Sequence, residues 1–179
     1  MVPDSLFAEG GKKMTPEMFW SNCKKLIGTP YSQCDCIGVV RRSLGISCQG
    51  TNWLWRSITN SSKYRYLQYR SVDMAGIEDG AVVFRVKWNS IPSGYGDTPD
   101  AHHVGVYYKG RVIQSNPKPG VYEDVFHPDS WSAWGKMKQV EYLPKVEPPE
   151  ESTAPDGPQL LTDHEMIMAI YNAICGGRD

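Results

Sequence analysis

The sequence has no excess of charge of either sign and no long apolar run. Its 179 residues carry 19 Lys and Arg against 20 Asp and Glu, which gives a net charge of −1. A basic face is the usual electrostatic footprint of a nucleic-acid-binding protein or of a polybasic membrane anchor. No stretch approaches the roughly 20 apolar residues of a membrane span. We therefore expect neither nucleic acid nor membrane as a partner.

The sequence leads us to expect neither a secretory leader nor a disulfide framework. The amino terminus lacks the apolar segment of roughly 7–15 residues and the small-residue cleavage site of a signal peptide, so we expect synthesis in the cytoplasm. The cysteines number five, which is odd, and without a leader a disulfide framework is not expected. One residue separates Cys34 from Cys36, whereas zinc-binding pairs are usually separated by roughly two to four. At least one cysteine is therefore reactive, buried or incidental.

The length and the composition along the chain predict one domain with an appendage, since a domain has about 150 residues. Residues 1–13 are predicted to be a flexible lead-in, and 14–143 the domain. Residues 144–158 hold five prolines and four acidic residues, which is the composition of a linker. Residues 159–179 are predicted to form an amphipathic helix. Such a helix has to bury its apolar face on its own domain, on a second copy or on another protein.

Helical periodicity in the first third of the domain gives way to strand-like patterns after about residue 78. Helices are predicted from Pro16 to Ile27 with Thr15 as N-cap, from Cys36 to Leu44 with Asp35 as N-cap, and over about 52–58. Strands are predicted over Ala81–Val86, Val104–Tyr108, Arg111–Ser115, Val121–Phe126 and Gln139–Leu143. The polar, Gly- and Pro-rich stretch 88–101 is predicted to be a surface loop. Helices followed by antiparallel strands indicate an α+β fold.

Cys36 is the best candidate for a nucleophile. Its predicted position in the first turn of a helix places unpaired N–H groups and the helix dipole where they stabilise a thiolate. The same N–H groups could hold a developing oxyanion. The alternative interpretation is that Cys36 is a small buried hydrophobe, the commonest role of a free cysteine.

A thiol nucleophile needs a base, and the base needs an orienting partner. His103 opens the predicted strand HVGVYY, and Gln114 lies across the predicted hairpin from it. A neutral amide can accept the imidazole N–H and hold the ring. His102 should face the other way, because neighbouring strand residues alternate. The alternative for His103 is a structural histidine with satisfied hydrogen bonds.

Taken together, these pieces resemble the NlpC/P60 family of cysteine peptidases over about residues 15–143. In chain order the pieces are Tyr31, Asp35-Cys36 opening a helix, Asp79-Gly80 before a strand, His103-Val-Gly-Val-Tyr, and Gln114. The short spacing from Tyr31 to Cys36 and the segment GTNWLWRS look most like members found in phage and prophage tail genes. The resemblance implies a papain-like fold with N-terminal helices packed on a central antiparallel sheet.

The resemblance also implies a reaction and its participants. Cys36 would attack an amide carbonyl of a peptidoglycan stem peptide, and His103 would take and return the proton. Gln114 would orient His103, while the Tyr31 hydroxyl and a backbone N–H hold the oxyanion. Asp35 would help bind the substrate amine. No cofactor or metal is implied, and the enzyme would act at the cell wall after release or as part of a phage particle.

Further expectations concern the groove and the partners. Trp88, Tyr95 and Asp97, from the loop 88–101, are the side chains best suited to grip a peptide. The C-terminal helix would be the site for a phage tail or other assembly protein.

The sequence departs from the family pattern in three places. Ile37 stands where the family usually has serine, the frequent Trp-Gly-Gly stretch after the tyrosine is missing, and Gln114 occupies a position that is commonly histidine. Asn116 is the reserve candidate for that third position. Three other hypotheses remain open: a CHAP-type amidase, an inactive structural or assembly module, and a zinc site made of Cys34, Cys36, His102 and His103.

Overall fold

The computed structural model describes residues 13–59, 65–94 and 99–142. The chain divides into two units, Met1–Leu143 and Pro144–Asp179, and the described residues belong to the first. The predicted lead-in (apart from Lys13), the linker and the C-terminal helix lie outside the described residues, so these predictions stay predictions.

The first helix, α1, spans Pro16–Lys24. Thr15 caps it, as predicted, because its hydroxyl accepts a hydrogen bond from the Met18 N–H at 3.2 Å. The helix ends three residues earlier than the predicted Ile27. Residues 25–28 form turns, and the N–H of Gly28 bonds to the carbonyl of Val121 at 2.9 Å. After α1 the backbone therefore bonds to the sheet instead of continuing the helix.

Two further helices follow, α2 over Cys36–Leu44 and α3 over Thr51–Arg56. Asp35 is the N-cap of α2, as predicted, and Gly45 ends α2 with φ of 65°. A 3-10 turn over Ser57–Thr59 continues α3. No helix within the described ranges has the length and hydropathy that a membrane span requires.

The strands form one antiparallel sheet. They are β1 (Leu67–Ser71), β2 (Val82–Lys87), β3 (Asp100–Tyr108), β4 (Arg111–Asn116), β5 (Gly120–Val125) and β6 (Ala133–Met137). Their order across the sheet is β1-β6-β2-β3-β4-β5, and every neighbouring pair is antiparallel. The predicted α+β class is confirmed.

One predicted strand is wrong, and two observed strands were not predicted. The segment predicted as Gln139–Leu143 is not a strand in its described part, where Val140 forms only an isolated bridge with Met14. The last strand is β6, six residues earlier, in which Gly135 lets the backbone of β1 approach closely. β1 itself, LQYRS, has too few apolar residues to produce a strand pattern. The predicted loop 88–101 also ends early, because β3 already begins at Asp100.

The sheet is covered on both faces. The larger core lies between the helices and one face of the sheet, with members such as Phe19, Val39, Phe84 and Val106. A smaller cluster consists of Ala81, Val83, Val112, Trp131 and Trp134. Its strand members, Val83, Val112 and Trp134, have the opposite alternation to the strand residues of the larger core. Burial on both faces explains the near-continuous apolar run of β2.

Strand pairing becomes irregular at the start of β3. Arg85 pairs with His103 but the next residue, Val86, pairs with Ala101, so His102 is an extra residue in a bulge. On its other side, β3 pairs with β4 from Tyr108 back to Gly105, which faces Gln114. Within the described residues no earlier residue of β3 pairs with β4, although β4 continues to Asn116 alongside β5. The β3–β4 ladder therefore ends at the Gly105–Gln114 pair.

Candidate active site

Cys36 is the first residue of α2, and only 7% of its surface is exposed. The carboxylate of Asp35 accepts a hydrogen bond from the N–H of Gly38 at 2.7 Å and so fixes the start of the helix. A Cβ at position 38 would lie 2.8 Å from that carboxylate oxygen, so the cap requires glycine there. The thiol sulfur of Cys36 lies 3.7 Å from the hydroxyl oxygen of Thr51, at the first residue of α3.

Three other free cysteines of the described chain sit in environments that favour the neutral thiol. Burial raises the pKa of Cys23 to about 12 and that of Cys48 to about 11. Burial also raises the pKa of Cys34. A thiol with a raised pKa is a poor nucleophile at neutral pH, because the thiolate is the attacking species. The environments of these three cysteines are therefore those of buried structural residues.

His103 and Gln114 form a buried hydrogen-bonded pair. Nε2 of His103 lies 2.8 Å from Oε1 of Gln114, with exposed fractions of 8% and 3% for the two residues. An amide oxygen only accepts, so Nε2 carries the hydrogen and Nδ1 of the neutral ring is left to act as a base. Asn116, the reserve candidate, instead donates to the hydroxyl of Tyr122 at 2.8 Å. The structure thus pairs Gln114, and not Asn116, with the imidazole.

An indole and a guanidinium complete the surroundings of His103. The ring of Trp131 stacks on the imidazole, with centroids 5.7 Å apart and planes 20° apart. The guanidinium of Arg85 lies 5.0 Å from the centre of the Trp131 ring. Burial lowers the pKa of His103, the Gln114 hydrogen bond opposes this, and the charges of Arg85 and His102 lower the pKa further. The imidazole is therefore neutral at neutral pH, the form that a general base needs.

Short hydrogen bonds connect the Cys36 region with the His103 region. The Ser115 hydroxyl donates to the carbonyl of Cys34 at 2.6 Å. The side chain of Asn52 accepts from the N–H of Ala101 at 2.6 Å and donates to the carboxylate of Asp100 at 2.9 Å. The segment before α2 is therefore bonded to β4 beside Gln114, and the start of α3 is bonded to the start of β3, two to three residues before His103.

Among the described residues, no hydrogen bond joins the Cys36 thiol to the His103 imidazole, whose partners are Thr51 and Gln114 respectively. Cys36 belongs to the core beneath the helices, whereas His103 stacks on Trp131, a member of the smaller cluster. The structure thus pairs His103 with Gln114 and places the Cys36 thiol against the Thr51 hydroxyl.

The remaining candidates are distributed around this centre. Tyr31 is 36% exposed, and burial together with the nearby Cys36 and Asp35 raises its pKa, so its phenol stays a hydrogen-bond donor. Trp88 is half exposed and packs edge-on against Trp55, with ring centroids 6.0 Å apart.

Two of the predicted groove residues, Tyr95 and Asp97, lie outside the described residues. Within the described ranges, no three His, Cys, Asp or Glu side chains come together as a group that could hold a metal ion. The zinc site considered from Cys34, Cys36, His102 and His103 is therefore not assembled there.

Three residues of this region escaped prediction from the sequence: Thr51, Asn52 and Trp131. Thr51 contacts Cys36, 15 residues away, and Asn52 contacts Ala101, 49 residues away. No local sequence pattern marks contacts between such distant residues. The polar Asn52 next to an apolar helical stripe was the one available signal.

Comparison with known proteins adds nothing to this geometry. No family model matches the sequence, and no curated protein matches it either. The chemistry of the site therefore has to be inferred from its own residues.

Proposed function

We propose that the protein is a cysteine peptidase that hydrolyses amide bonds in peptidoglycan stem peptides, with the papain-like fold of the NlpC/P60 family. The observation that carries this proposal is the buried His103–Gln114 hydrogen bond beneath Trp131, tied to a cysteine at a helix N-terminus. A catalytic imidazole needs one nitrogen held by an orienting partner and the other left available, and Gln114 supplies such a partner. By its resemblance to phage tail members, the protein would reach the cell wall in a phage particle or after release.

In the proposed reaction, the Cys36 thiol loses its proton to Nδ1 of His103 and attacks the amide carbonyl. The hydrogen bond to Gln114 keeps the imidazolium oriented, and the unpaired N–H of the first helical turn and the Tyr31 hydroxyl stabilise the oxyanion. His103 returns the proton to the leaving amine, which departs and leaves a thioester on Cys36. Water, deprotonated by the same imidazole, then releases the acid and restores the thiol.

This sequence of steps requires the thiol to leave Thr51 and face His103. Catalytic hydrogen bonds are often long or absent in proteins without substrate and form in the complex. In the proposed complex, the Cys36 thiol and the His103 imidazole would both face the substrate carbonyl.

Mass analysis of purified muropeptides after incubation with the protein tests the proposal. We expect cleavage within the stem peptide by the native protein and by Cys34→Ala, which removes the neighbouring thiol. Cys36→Ala and His103→Gln should show no cleavage. Iodoacetamide mapping at neutral pH should label Cys36 first. Cleavage that survives in Cys36→Ala would end the proposal, and release of intact stem peptides from the glycan would favour the CHAP-type amidase.

A second candidate function is an inactive structural or assembly module. The observation that favours it is the Thr51 contact, because it leaves the thiol without a base in this structure. Intact muropeptides with native protein, together with slow alkylation of Cys36, would support this candidate.

A further inference from the structure

The Trp131 indole lies over one face of β2 and β3, where three positions of these strands lie against it. Its ring stacks on His103 with planes 20° apart, and the Arg85 guanidinium lies 5.0 Å from its centre. A Cβ at Gly105 would come within 2.9 Å of the indole, so glycine at this position makes room for the ring. Arg85 and His103 are paired residues of the β2–β3 ladder. The guanidinium and the imidazole thus share one indole.

Hydrogen bonds to β2 fix the segment that carries Trp131, and Arg85 makes one of them. Nε of Arg85 donates to the carbonyl of Ser130 at 3.1 Å. On the other side of Trp131, the N–H of Ser132 donates to the carbonyl of Phe84 at 2.8 Å. Both chain neighbours of Trp131 are therefore bonded to β2, one of them through the Arg85 side chain.

A guanidinium is well suited to this position. Because it is planar, it stacks on an aromatic ring while its N–H groups donate in the plane. The Arg85 guanidinium does both, since it lies over the indole and donates to Ser130. Within the described part of the chain, no carboxylate forms a salt bridge with Arg85. No ion pair among those residues therefore competes with the indole for the guanidinium.

The indole restricts the orientation of the imidazole. His103 is buried, and its Nε2 lies 2.8 Å from Oε1 of Gln114. Rotation of the ring about its Cβ–Cγ bond would break this hydrogen bond. In a closely packed interior, a ring turned out of the stack needs the space that the Trp131 indole occupies. An indole that is free to shift would give the imidazole that space.

We propose that Arg85 is a positioning residue for His103, which holds the Trp131 indole against the imidazole and so keeps the imidazole on Gln114. The catalytic consequence of this inference rests on the proposed function, in which His103 is the base. Arg85 itself takes no part in bond cleavage.

The charge of Arg85 and its positioning role can be separated by experiment. Burial is the main cause of the lowered pKa of His103, and the charges that lower it further are those of Arg85 from β2 and His102 from β3. The other side chains against the ring, Gln114 from β4 and Trp131, carry no charge. Arg85→Gln removes the charge and the planar cation together, whereas Arg85→Lys keeps the charge and loses the planar group.

NMR of the His103 ring in the full chain tests the positioning role without substrate. We expect the Nε2–H proton to exchange with solvent about fivefold to tenfold faster in both Arg85 variants, as loss of the stacked guanidinium and its hydrogen bond predicts. The pKa of His103 should rise in Arg85→Gln and stay close to the native value in Arg85→Lys. Lys87→Gln, which removes an exposed positive charge from the same strand, is the matched control and should show native exchange.

Three results of the NMR experiment would overturn the proposal. The first is native exchange of the Nε2–H proton in both Arg85 variants, because Arg85 would then act on His103 through charge alone. The second is faster exchange with an equal loss of amide protection across β4 and β5, because Arg85 would then only stabilise the fold. The third is an equal effect of Lys87→Gln.

Turnover of muropeptides tests the catalytic consequence. Arg85→Lys should lower kcat about threefold to tenfold and leave KM close to native, because a less restrained base raises the barrier to proton transfer. A native kcat in this variant would overturn the proposal. Failure of the proposed function is separate, because it appears as intact muropeptides with native protein. If muropeptides stay intact while the Nε2–H exchange depends on Arg85, Arg85 positions the imidazole and the proposed hydrolysis is wrong.

Discussion

Replacing Gln114 with methionine removes the hydrogen bond to His103 and keeps an unbranched side chain of similar length. The bond is 2.8 Å long and its partners are nearly fully buried. In Gln114→Met, the N–H of His103 loses its acceptor beneath Trp131, where water does not readily replace it. A buried donor left without a partner costs about 1–3 kcal/mol. We therefore expect the protein to unfold at a lower temperature, by a few degrees for each kcal/mol.

The same substitution should change the pKa of His103 in a direction that follows from the structure. The pKa of His103 is already below its ordinary value of 6.5, mainly through burial, and the Gln114 bond opposes that shift. Gln114→Met should lower this pKa further, whereas Gln114→Glu should raise it by adding a charge. A histidine with a lowered pKa contributes stability that is present above about pH 6.5 and is lost as the pH falls. Stability should therefore fall on acidification, and Gln114→Met should extend the fall to lower pH.

NMR titration of the His103 ring, together with thermal unfolding between pH 4 and 8, measures both effects. Activity on muropeptides should fall about 10- to 100-fold in Gln114→Met, because a hydrogen bond to the imidazolium contributes roughly 1.5–3 kcal/mol in the transition state. An unchanged His103 titration in both variants would refute the role given to Gln114. Unchanged titration with lower stability would mean that Gln114 only fills space.

Three further outcomes are expected. Thr51→Val should slow alkylation of Cys36 by iodoacetamide at pH 7 by about threefold to tenfold, since roughly 1 kcal/mol of hydrogen bonding to the thiolate is lost. Thr51→Ser should restore the rate, and equal rates in all three proteins would contradict this role of the Thr51 hydroxyl. Asp35→Ala should lower the free energy of unfolding, measured in urea, by about 0.5–2 kcal/mol, whereas Asp35→Asn should stay close to the native value because both Asp and Asn can cap α2. An equal loss of stability in both variants would show that the cap is not responsible. Gly120→Ala should destabilise the fold more than Gly110→Ala, because both glycines have positive φ but only a Cβ at position 120 would contact backbone atoms, those of Thr29 and Pro30. Equal melting temperatures would contradict this close approach.

The features that could be predicted from the sequence are those set by near neighbours. The caps of α1 and α2 depend on contacts three residues apart, from Thr15 to Met18 and from Asp35 to Gly38, and local sequence contains that information. The hairpin between β3 and β4 could be predicted for the same reason, because the Lys109-Gly110 turn sets its register. The α+β class followed from these elements and their order.

The features that could not be predicted depend on distant partners. β1 becomes a strand because β6 pairs with it from the far end of the domain, and its own residues carry little strand pattern. Trp131 reaches His103 only once a 3-10 turn over Pro128–Ser130, after β5, has returned the chain to the sheet. The Thr51 hydroxyl contacts Cys36 across the loop between α2 and α3. Each of these contacts is a property of the assembled domain.

The end of the β3–β4 ladder at Gly105 has a consequence for local stability. β3 lies in the interior of the sheet, where amide protons are normally the most protected from exchange with solvent. Ahead of Gly105, β3 keeps its pairing with β2, including that of Arg85 with His103, but has no β4 partner among the described residues. We therefore expect lower amide protection ahead of Gly105 than from Gly105 to Tyr108, because one neighbouring strand rather than two holds the backbone there. The imidazole of His103 is thus attached to a part of β3 that only β2 holds in the sheet.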